Sequence, residues 1–541
     1  MKTINQFKVK ANENNHIFDL FLILILTIIS VLPAFLHGYY NSSVDGIYHF
    51  ARFENIASSL KSDTLPSLFN FNYAPINSYQ GVAINAMYPW LDGLLFIVPR
   101  IVISNPLHAM EIGFFLLNFL TIFNMRLLAG SLSSNRWIIW LGVIVYEFNN
   151  FHLIDLYSRT ALGECFGYAW MPLVVLGLLQ LHQNKKSSPF ILGLSLGMIA
   201  NAHVLSLVLA VIFVLVFEIL KNDVTLKVFK NALLSFFIFL AISSYSLFNI
   251  INIYVHSKIA TPERGIVSVD LSSFLTSNFG NNMAEKTYWI YGLPLLVIQI
   301  VLTVILFKNM QSSNWRKWLI AADILFIISL NWWPWSIFVK TPISLLQFLS
   351  RLNLFIVLFL SIAIVMFFNE KKKVNKRNII LIGIIVCFVS LAGTYQNRLN
   401  YNGLQSNHYS LNADNYESIL HSTSSFNDYI PLNKNGKKLN ISNSKVPKQI
   451  SGKSNQSVYK VDLDHESVVD FPVVTYQGFN YNIFIDGIRS KSLDTNQVSV
   501  KLSKGRHIIK IEAPYDRSSL LLFISILSIS ITILILFFLR F

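Results

Sequence analysis

The sequence contains few cysteines and few charged residues, and each shortage excludes a class of protein. The 541-residue chain has two cysteines, Cys165 and Cys387, both in or beside apolar segments; they provide neither a disulfide framework nor a set of metal ligands. Charged residues make up 13% of the chain, whereas soluble domains carry about a quarter. P-loop, G-x-G-x-x-G, H-E-x-x-H and G-x-S-x-G motifs are absent, which argues against an ATP-driven or nicotinamide-dependent enzyme.

Hydrophobic residues, by contrast, make up 53% of the chain, in long runs. Many runs exceed the roughly 18 residues that cross a bilayer, so the sequence predicts an α-helical polytopic membrane protein. The first run is longer than the apolar part of a signal peptide and ends without a small-x-small site, so we expect it to be retained. We place 12 spans near residues 17–37, 107–130, 137–150, 165–182, 189–202, 203–220, 230–251, 288–307, 318–334, 353–369, 378–394 and 518–539.

The basic residues predict the topology. The net charge of +15 comes from Lys and Arg in short loops between spans, the positive-inside pattern of membrane proteins, so it does not indicate a nucleic-acid partner. Placing every basic cluster inside puts both termini in the cytoplasm. It also requires that residues 87–104 do not cross, so we predict an external juxtamembrane or re-entrant helix there. Residues 38–106, 151–164, 252–287, 334–351 and 397–517 then lie outside.

Three parts follow from this topology: a transmembrane domain at 1–396 with an external first loop at 38–106, an extracellular domain at 397–517, and a final span at 518–541. Asn, Ser, Lys and Asp replace Leu, Ile and Phe in the extracellular part. Alternation over 473–485, an Asp486–Gly487 turn, and segments 498–502 and 507–511 around a Ser-Lys-Gly turn predict a small antiparallel β unit within 457–515. Residues 401–457 show little pattern.

The most informative stretch is 43–60, directly after the first span. On a helix Asp45 and His49 share one face because they are four residues apart, and Arg52 follows after two turns. Glu54 falls on the opposite face, so we expect it to matter less. Ionisable groups this close to a span are costly unless they meet water, a partner or a ligand. The alternative interpretation is a solvated interfacial helix.

A second group, Asp155, Arg159 and Glu164, lies between two spans. Asp155 and Arg159 are four apart, and a simple ion pair on a short helix is one interpretation. That pair leaves Glu164 unexplained, because Glu164 sits at the mouth of the next span.

His203, Gln347 and Arg351 are the remaining candidates, each at the predicted outer end of a span. Arg suits phosphate binding, although an Arg at this depth also serves as a snorkelling anchor. A lone His is commonly structural. Carboxylates, Arg and His gathered at one membrane face fit a lipid-phosphate substrate with a polar head group.

Four motifs resemble a known family. They are D-G-I-Y-H-F-A-R at 45–52, Y-S-R-T-A-L-G-E at 157–164 with Met171–Pro172 after it, L-Q-F-L-S-R at 346–351, and the Y-Q-G-F-N, I-D-G and L-S-K-G-R-H segments between 476 and 507. Together they resemble the GT-C class of glycosyltransferases, and more closely YfhO-type proteins and bacterial membrane proteins described as "6-pyruvoyl-tetrahydropterin synthase related". In the third motif Leu349 and Ser350 stand where that family has Pro-Trp.

The resemblance implies a bacterial plasma-membrane enzyme that transfers a sugar from a polyprenyl-phosphate-linked donor to an extracellular glycan, teichoic acid or lipid. It makes Asp45 the expected general base and Glu164 a second catalytic residue that orients Arg159 or binds sugar hydroxyls. The expected substrate-binding residues are His49, Arg52, Asp155, Arg159, His203, Gln347 and Arg351. A divalent cation joining Asp45 is left open.

Two alternatives from other classes remain at this stage. One is a non-catalytic accessory protein of envelope polymer assembly, in which the external carboxylates tolerate replacement. The other is a flippase for lipid-linked sugars. A transporter should show inverted repeats or broken helices at mid-membrane, and the sequence has no clear internal repeat.

Overall fold

The computed structural model describes residues 13–62, 64–73, 79–308, 313–371, 375–400, 408–423, 428–433, 435–439, 447–514 and 518–539. Helices dominate it. They are α1 Glu13–Phe35, α2 Val44–Lys61, α3 Ile84–Met87, α4 Leu94–Val102, α5 Pro106–Leu132, α6 Arg136–Glu147, α7 Asn150–Tyr157, α8 Leu162–His182, α9 Ser188–Ala200, α10 Val204–Lys221, α11 Leu226–His256, α12 Leu271–Phe279, α13 Leu293–Lys308, α14 Asn314–Ser329, α15 Asn353–Glu370, α16 Lys376–Asn400, α17 Tyr416–Thr423 and α18 Ser519–Phe538.

Each of the 12 predicted spans coincides with a helix of this bundle. Within the described residues, eight helices are long and apolar enough to cross a membrane, or nine if α6 and α7, which are bent by 47°, count as one span. The other three, α9, α13 and α14, have 13, 16 and 16 residues. The chain is therefore a polytopic α-helical membrane protein, as predicted.

The short helix α9 is held in the bundle by glycine. A Cβ on Gly193 would lie 2.7 Å from Ile238, and one on Gly197 would lie 2.5 Å from Ile242, both on α11. Close backbone approach through small residues is how membrane helices pack, since the lipid gives them no hydrophobic reason to associate. On the neighbouring helix α10, Val208, Ile212 and Leu215 are exposed, as a lipid-facing surface requires.

Residues 87–104 do not form a candidate span. They contain α4, which has nine residues and an internal proline, Pro99, and a helix of that length covers less than half of a bilayer core. This agrees with the prediction that the segment does not cross.

Eleven strands are described, and seven of them form the C-terminal β domain. They are β1 Tyr40–Ser43, β2 Ile266–Val267, β3 Gln347–Phe348, β4 His408–Leu411, β5 Lys448–Lys453, β6 Gln456–Leu463, β7 Ser467–Val474, β8 Asn482–Ile485, β9 Ile488–Ser490, β10 Gln497–Leu502 and β11 Gly505–Glu512. The sheets have the orders β5-β6-β11-β8-β9 and β10-β7. The predicted Asp486–Gly487 turn joins β8 to β9, with φ of 51° and 84°, the positive values that a tight hairpin turn requires.

Two details of the β prediction were wrong. The strand predicted over 473–485 is interrupted between Val474 and Asn482. The strands around the Ser-Lys-Gly turn do not pair with each other, because β10 pairs with β7 whereas β11 pairs with β6 and β8. Both strands bury side chains in the same core, Val500 from one and Ile509 from the other. The turn therefore connects two sheets packed on each other and is not the tip of a hairpin.

The β domain packs on the first loop of the transmembrane domain. The backbone N–H of Gln80 donates to Pro472 over 2.8 Å, and the Val474 N–H donates back to Gln80 over 2.9 Å. The Tyr476 hydroxyl accepts from the Ala83 N–H over 2.9 Å. Strand β1 of the same loop pairs antiparallel with β4. These contacts place the first loop and the C-terminal domain at one end of the helix bundle.

Candidate functional site

The start of α2 is fixed against the turn between α7 and α8. The Ser43 hydroxyl caps the helix by accepting from the Gly46 N–H over 3.2 Å, and it donates to the carbonyl of Arg159. A Cβ on Gly46 would lie 2.8 Å from Thr160, so only glycine allows the helix this close. Asp45, in the first turn of α2, is thereby held beside the Arg159 turn.

The Asp45 carboxylate is open to water and yet surrounded by protein. Its side chain is exposed, but burial among neighbouring atoms raises its pKa, with Arg159 acting in the opposite direction and Glu164 in the same direction. Both observations, the exposed side chain and its raised pKa, fit an Asp45 carboxylate that lies in a concave, water-filled part of the surface. A carboxylate of raised pKa that still reaches water can accept a proton near neutral pH.

Glu164, in the first turn of α8, holds two guanidinium groups. Arg351 donates to Glu164 Oε1 through Nε over 3.0 Å and through Nη2 over 2.8 Å. Arg159 contacts both oxygens of Glu164 at 3.4 Å and pairs with Asp155 at 2.6 Å. The Asp155–Arg159 ion pair therefore exists as part of a larger network. That network includes Glu164, which the ion pair alone left unexplained.

Aromatic rings and a glutamine complete the surroundings of the two cations. The guanidinium carbon of Arg159 lies 5.0 Å from the ring centre of Tyr288, and that of Arg351 lies 5.2 Å from Phe348. Arg351 also donates to the Gln347 side chain over 3.0 Å, and Gln347 has a φ of 58°. Both cations are thus held rigidly, with little freedom to lose when an anion binds.

A narrow cleft opens beside this network, between α7, α8, α10 and α15. Its polar lining residues include Glu164, Arg351 and His203, and its apolar ones include Leu205, Leu209 and Leu354. The remaining lining residues are Phe151, Asp155, Tyr168 and Ser206. Charged and apolar side chains therefore line the same cleft, and two of the apolar ones come from α10, whose Val208, Ile212 and Leu215 are exposed.

Tyr88 brings together the three remaining candidates. Its ring stacks on His203 with centroids 5.7 Å apart, meets His49 edge-on at 5.1 Å, and lies 4.7 Å from the Arg52 guanidinium. Burial lowers the pKa of His203 to about 4, and burial together with Arg52 lowers the pKa of His49, which favours the neutral form of both imidazoles. Gly163 makes room for the ring, because a Cβ there would lie 2.9 Å from it and still closer to its hydroxyl.

Arg52 and His49 face inward. They are 1% and 3% exposed. Arg52 donates to His49 Nδ1 over 3.3 Å and to the backbone carbonyl of Tyr88 over 2.8 Å. Their contacts are those of residues that support the loop containing Tyr88. Substrate contact by Arg52 or His49 stays a prediction.

Glu54 lies away from the site, as its helical position predicted. It pairs with Arg100 at 2.5 Å, and Arg100 also contacts Glu417 at 3.3 Å. This second ion pair joins α2, α4 and α17. Its role is structural, so Glu54 is a useful contrast to Asp45.

Several residues of the site had no signal in the sequence. Tyr88 and Tyr288 are two among 22 tyrosines. Glu285 comes close to Asp45 only through the fold; its pKa is raised to about 7 by burial and by the charge of Asp45. Asp428 also raises the pKa of Asp45. No spacing rule connects these residues to the motifs.

The possible cation remains a prediction. In the part of the chain that the structure describes, no three His, Cys, Asp or Glu side chains are grouped as metal ligands. Asp45 and Glu285 both present carboxylate oxygens, the ligand type that hard divalent cations prefer.

The comparisons with known proteins give one similarity. No protein-family model and no curated protein matches the sequence. Among solved structures, the chain is similar to the cryo-EM structure of arabinofuranosyltransferase AftD from Mycobacteria, with 14% sequence identity and a TM-score of 0.44 over 74% of this chain. The match spans 28% of that protein's length.

Proposed function

We propose that this protein is a GT-C-type membrane glycosyltransferase that moves a sugar from a polyprenyl-phosphate-linked donor to an acceptor in the cell envelope. The proposal is carried by one observation. A water-accessible carboxylate, Asp45, interacts with the charges of Arg159 and Arg351, and Arg351 lines a cleft together with leucines of α10 and α15. A substrate with a sugar, a phosphate and a lipid tail complements the carboxylate, the guanidinium groups and the leucines, in that order.

The reaction is a single displacement at the anomeric carbon. The acceptor hydroxyl oxygen forms a bond to that carbon while the bond to the phosphate oxygen breaks, and the electron pair leaves with the polyprenyl phosphate. Asp45 takes the hydroxyl proton as general base. Arg159 and Arg351 stabilise the negative charge that develops on the phosphate. A single displacement inverts the configuration at the anomeric carbon.

Glu164 acts in this proposal as a positioning residue. Its oxygens already accept from Arg351 at 2.8 and 3.0 Å and from Arg159 at 3.4 Å, so a proton on it would disrupt both ion pairs. Its function is to keep two like charges side by side at the phosphate position. Asp155 does the same for Arg159 alone.

Replacing Asp45 by Asn tests the base. The change keeps the shape and removes the proton acceptor, so sugar transfer should fall by about 10²–10⁴-fold at unchanged protein level. Transfer is measured as release of polyprenyl phosphate from a panel of radiolabelled polyprenyl-phosphate monosaccharides, in membranes of a deletion strain that expresses each variant. Asp270→Asn is the matched control, since Asp270 only caps α12 and Asn caps equally well.

The same assay separates the proposal from the two alternatives. An accessory protein predicts normal transfer by Asp45→Asn when the variant is expressed normally. A flippase predicts donor movement across vesicles in the absence of any acceptor, with no release of polyprenyl phosphate. Either result would overturn the assignment of Asp45.

A further inference from the structure

The segment between α14 and α15 presents an apolar surface that the described residues do not cover. Trp332, Trp333 and Ile337 are 59%, 50% and 64% exposed, and Ile343 and Leu345 are exposed as well. Between residues 330 and 346 the sequence has a single charged residue, Lys340. Soluble loops of this length rarely expose so many large apolar side chains together.

Two of the three tryptophans use their indole N–H groups within the protein. Trp333 donates its indole N–H to the Ile327 carbonyl over 3.2 Å, and Trp335 donates to Leu330 over 3.2 Å. Both acceptors belong to the last turn of α14 or the residue that follows it, so the indoles donate to carbonyls at the end of a helix, where partners within the helix are fewest. The indole N–H of Trp333 therefore already has a hydrogen-bond partner in the protein, and its exposed ring does not depend on water for one.

The segment is held in a fixed place by pairing with another loop. The Asn331 N–H donates to Val269 over 3.0 Å, the Gly265 N–H donates to Ser344 over 3.1 Å, and β2 pairs with β3 in parallel. The apolar surface is therefore a built feature of the fold.

We infer that residues 331–346 insert into the bilayer surface, with the side chains of Trp332, Trp333 and Ile337 at the boundary between head groups and acyl chains. Two observations favour lipid as the occupant. The segment leads into α15, which is long and apolar enough to cross a membrane, and the exposed residues of α14, Ile320, Ile324 and Ile327, continue the same apolar character toward the tryptophans. Tryptophan is also the residue most typical of this boundary.

The insertion would set the depth of the candidate site. Residues Gln347 and Phe348 follow the segment directly, and Arg351 lies in the single helical turn before α15. Anchoring the segment in the head-group region therefore fixes the Arg351 guanidinium at the level of lipid phosphates. The inference concerns membrane contact alone and holds whether or not the protein transfers sugars.

Site-directed spin labelling tests the insertion. The full-length protein carrying Cys387→Ala and Ile337→Cys is labelled with a nitroxide, with buried Cys165 retained, and reconstituted in phosphatidylethanolamine–phosphatidylglycerol vesicles. Collision rates with oxygen, which concentrates in the bilayer, are compared with those for a water-soluble nickel chelate. The control is Ile488→Cys in the β domain, which is 75% exposed and equally apolar. Ile343→Cys provides a second position if Ile337→Cys fails to fold.

The inserted segment predicts a nickel accessibility several-fold lower at residue 337 than at residue 488, with a higher oxygen accessibility. Equal nickel accessibility at the two positions would overturn the inference. Dipolar broadening at residue 337 that disappears on dilution with unlabelled protein would also overturn it, because the occupant would then be a second copy of this chain.

Discussion

Glu164→Gln is the perturbation that tests the arginine network most directly. The change keeps the size of the side chain and removes its charge. The two side-chain oxygens of Glu164 have different partners. Arg351 makes both of its contacts with Oε1, whereas Nη1 of Arg159 lies 3.4 Å from Oε2. In the variant, the amide oxygen would take the Oε1 position and the amide NH₂ group the Oε2 position. The NH₂ group and Arg159 Nη1 would then face each other as two hydrogen-bond donors.

The expected loss of stability follows from this geometry. The side chains of Arg159, Arg351 and Glu164 are 7%, 10% and 11% exposed, so water screens them little. Removing one partner of a buried ion pair costs about 3–5 kcal/mol. Because the glutamine retains one acceptor for Arg351, we expect the lower end, about 3 kcal/mol.

A double-mutant cycle with Arg351→Gln measures the coupling. Unfolding in mixed micelles of increasing SDS content is followed by the reaction of Cys165 with a thiol dye in a Cys387→Ala background; Cys165 is 0% exposed and becomes reactive when α8 separates from the bundle. We expect the double variant to be more stable than the sum of the single losses predicts, by about 2–3 kcal/mol.

A coupling energy near zero would refute the network. In that case Glu164 and Arg351 would not interact in the membrane-embedded protein, and the two cations would not be held as a pair. The control cycle uses Glu54→Gln with Arg100→Gln, an ion pair at 2.5 Å outside the site. If the Glu54–Arg100 pair shows coupling and the Glu164–Arg351 pair does not, the assay itself works and only the network at the candidate site is refuted.

Three further predictions concern the surroundings of the network. Gly163→Ala should destabilise the protein by about 1–3 kcal/mol through overpacking against the Tyr88 ring and hydroxyl, and Tyr88→Phe should restore part of the loss in the same SDS titration. Glu285 has a folded pKa of about 7, above its ordinary 4.5, so the fold favours its neutral form; stability relative to Glu285→Gln, measured by thermal unfolding, should fall as pH rises from about 4.5 to 7. Gln80→Ala should leave buried Tyr459, which donates to Gln80 over 3.0 Å, without that acceptor, at about 1–3 kcal/mol, and increase protease cleavage of the β domain.

The helical parts and the charged candidates were predictable because each rests on a local pattern. Apolar runs locate helices by length alone, and the i, i+4 spacing of Asp155 and Arg159 anticipated their contact at 2.6 Å. The predicted turn at Asp486–Gly487 is a local signal of the same kind. Prediction failed where pairing is not local: β10 and β11 are neighbours in sequence, yet each finds its partner elsewhere.

By itself the sequence determined that the chain is a polytopic membrane protein, that a β domain follows the helices, and which charged residues deserve testing. Composition and periodicity are sufficient for these conclusions because burial and membrane crossing depend on residue type at fixed spacing. Only the tertiary structure decided that Glu164, already beside Arg159, meets Arg351 at a distance of 187 residues along the chain, that Tyr88 contacts His49, Arg52 and His203, and that Glu285 approaches Asp45. Those contacts depend on how helices distant in sequence pack together, and no local pattern encodes that packing.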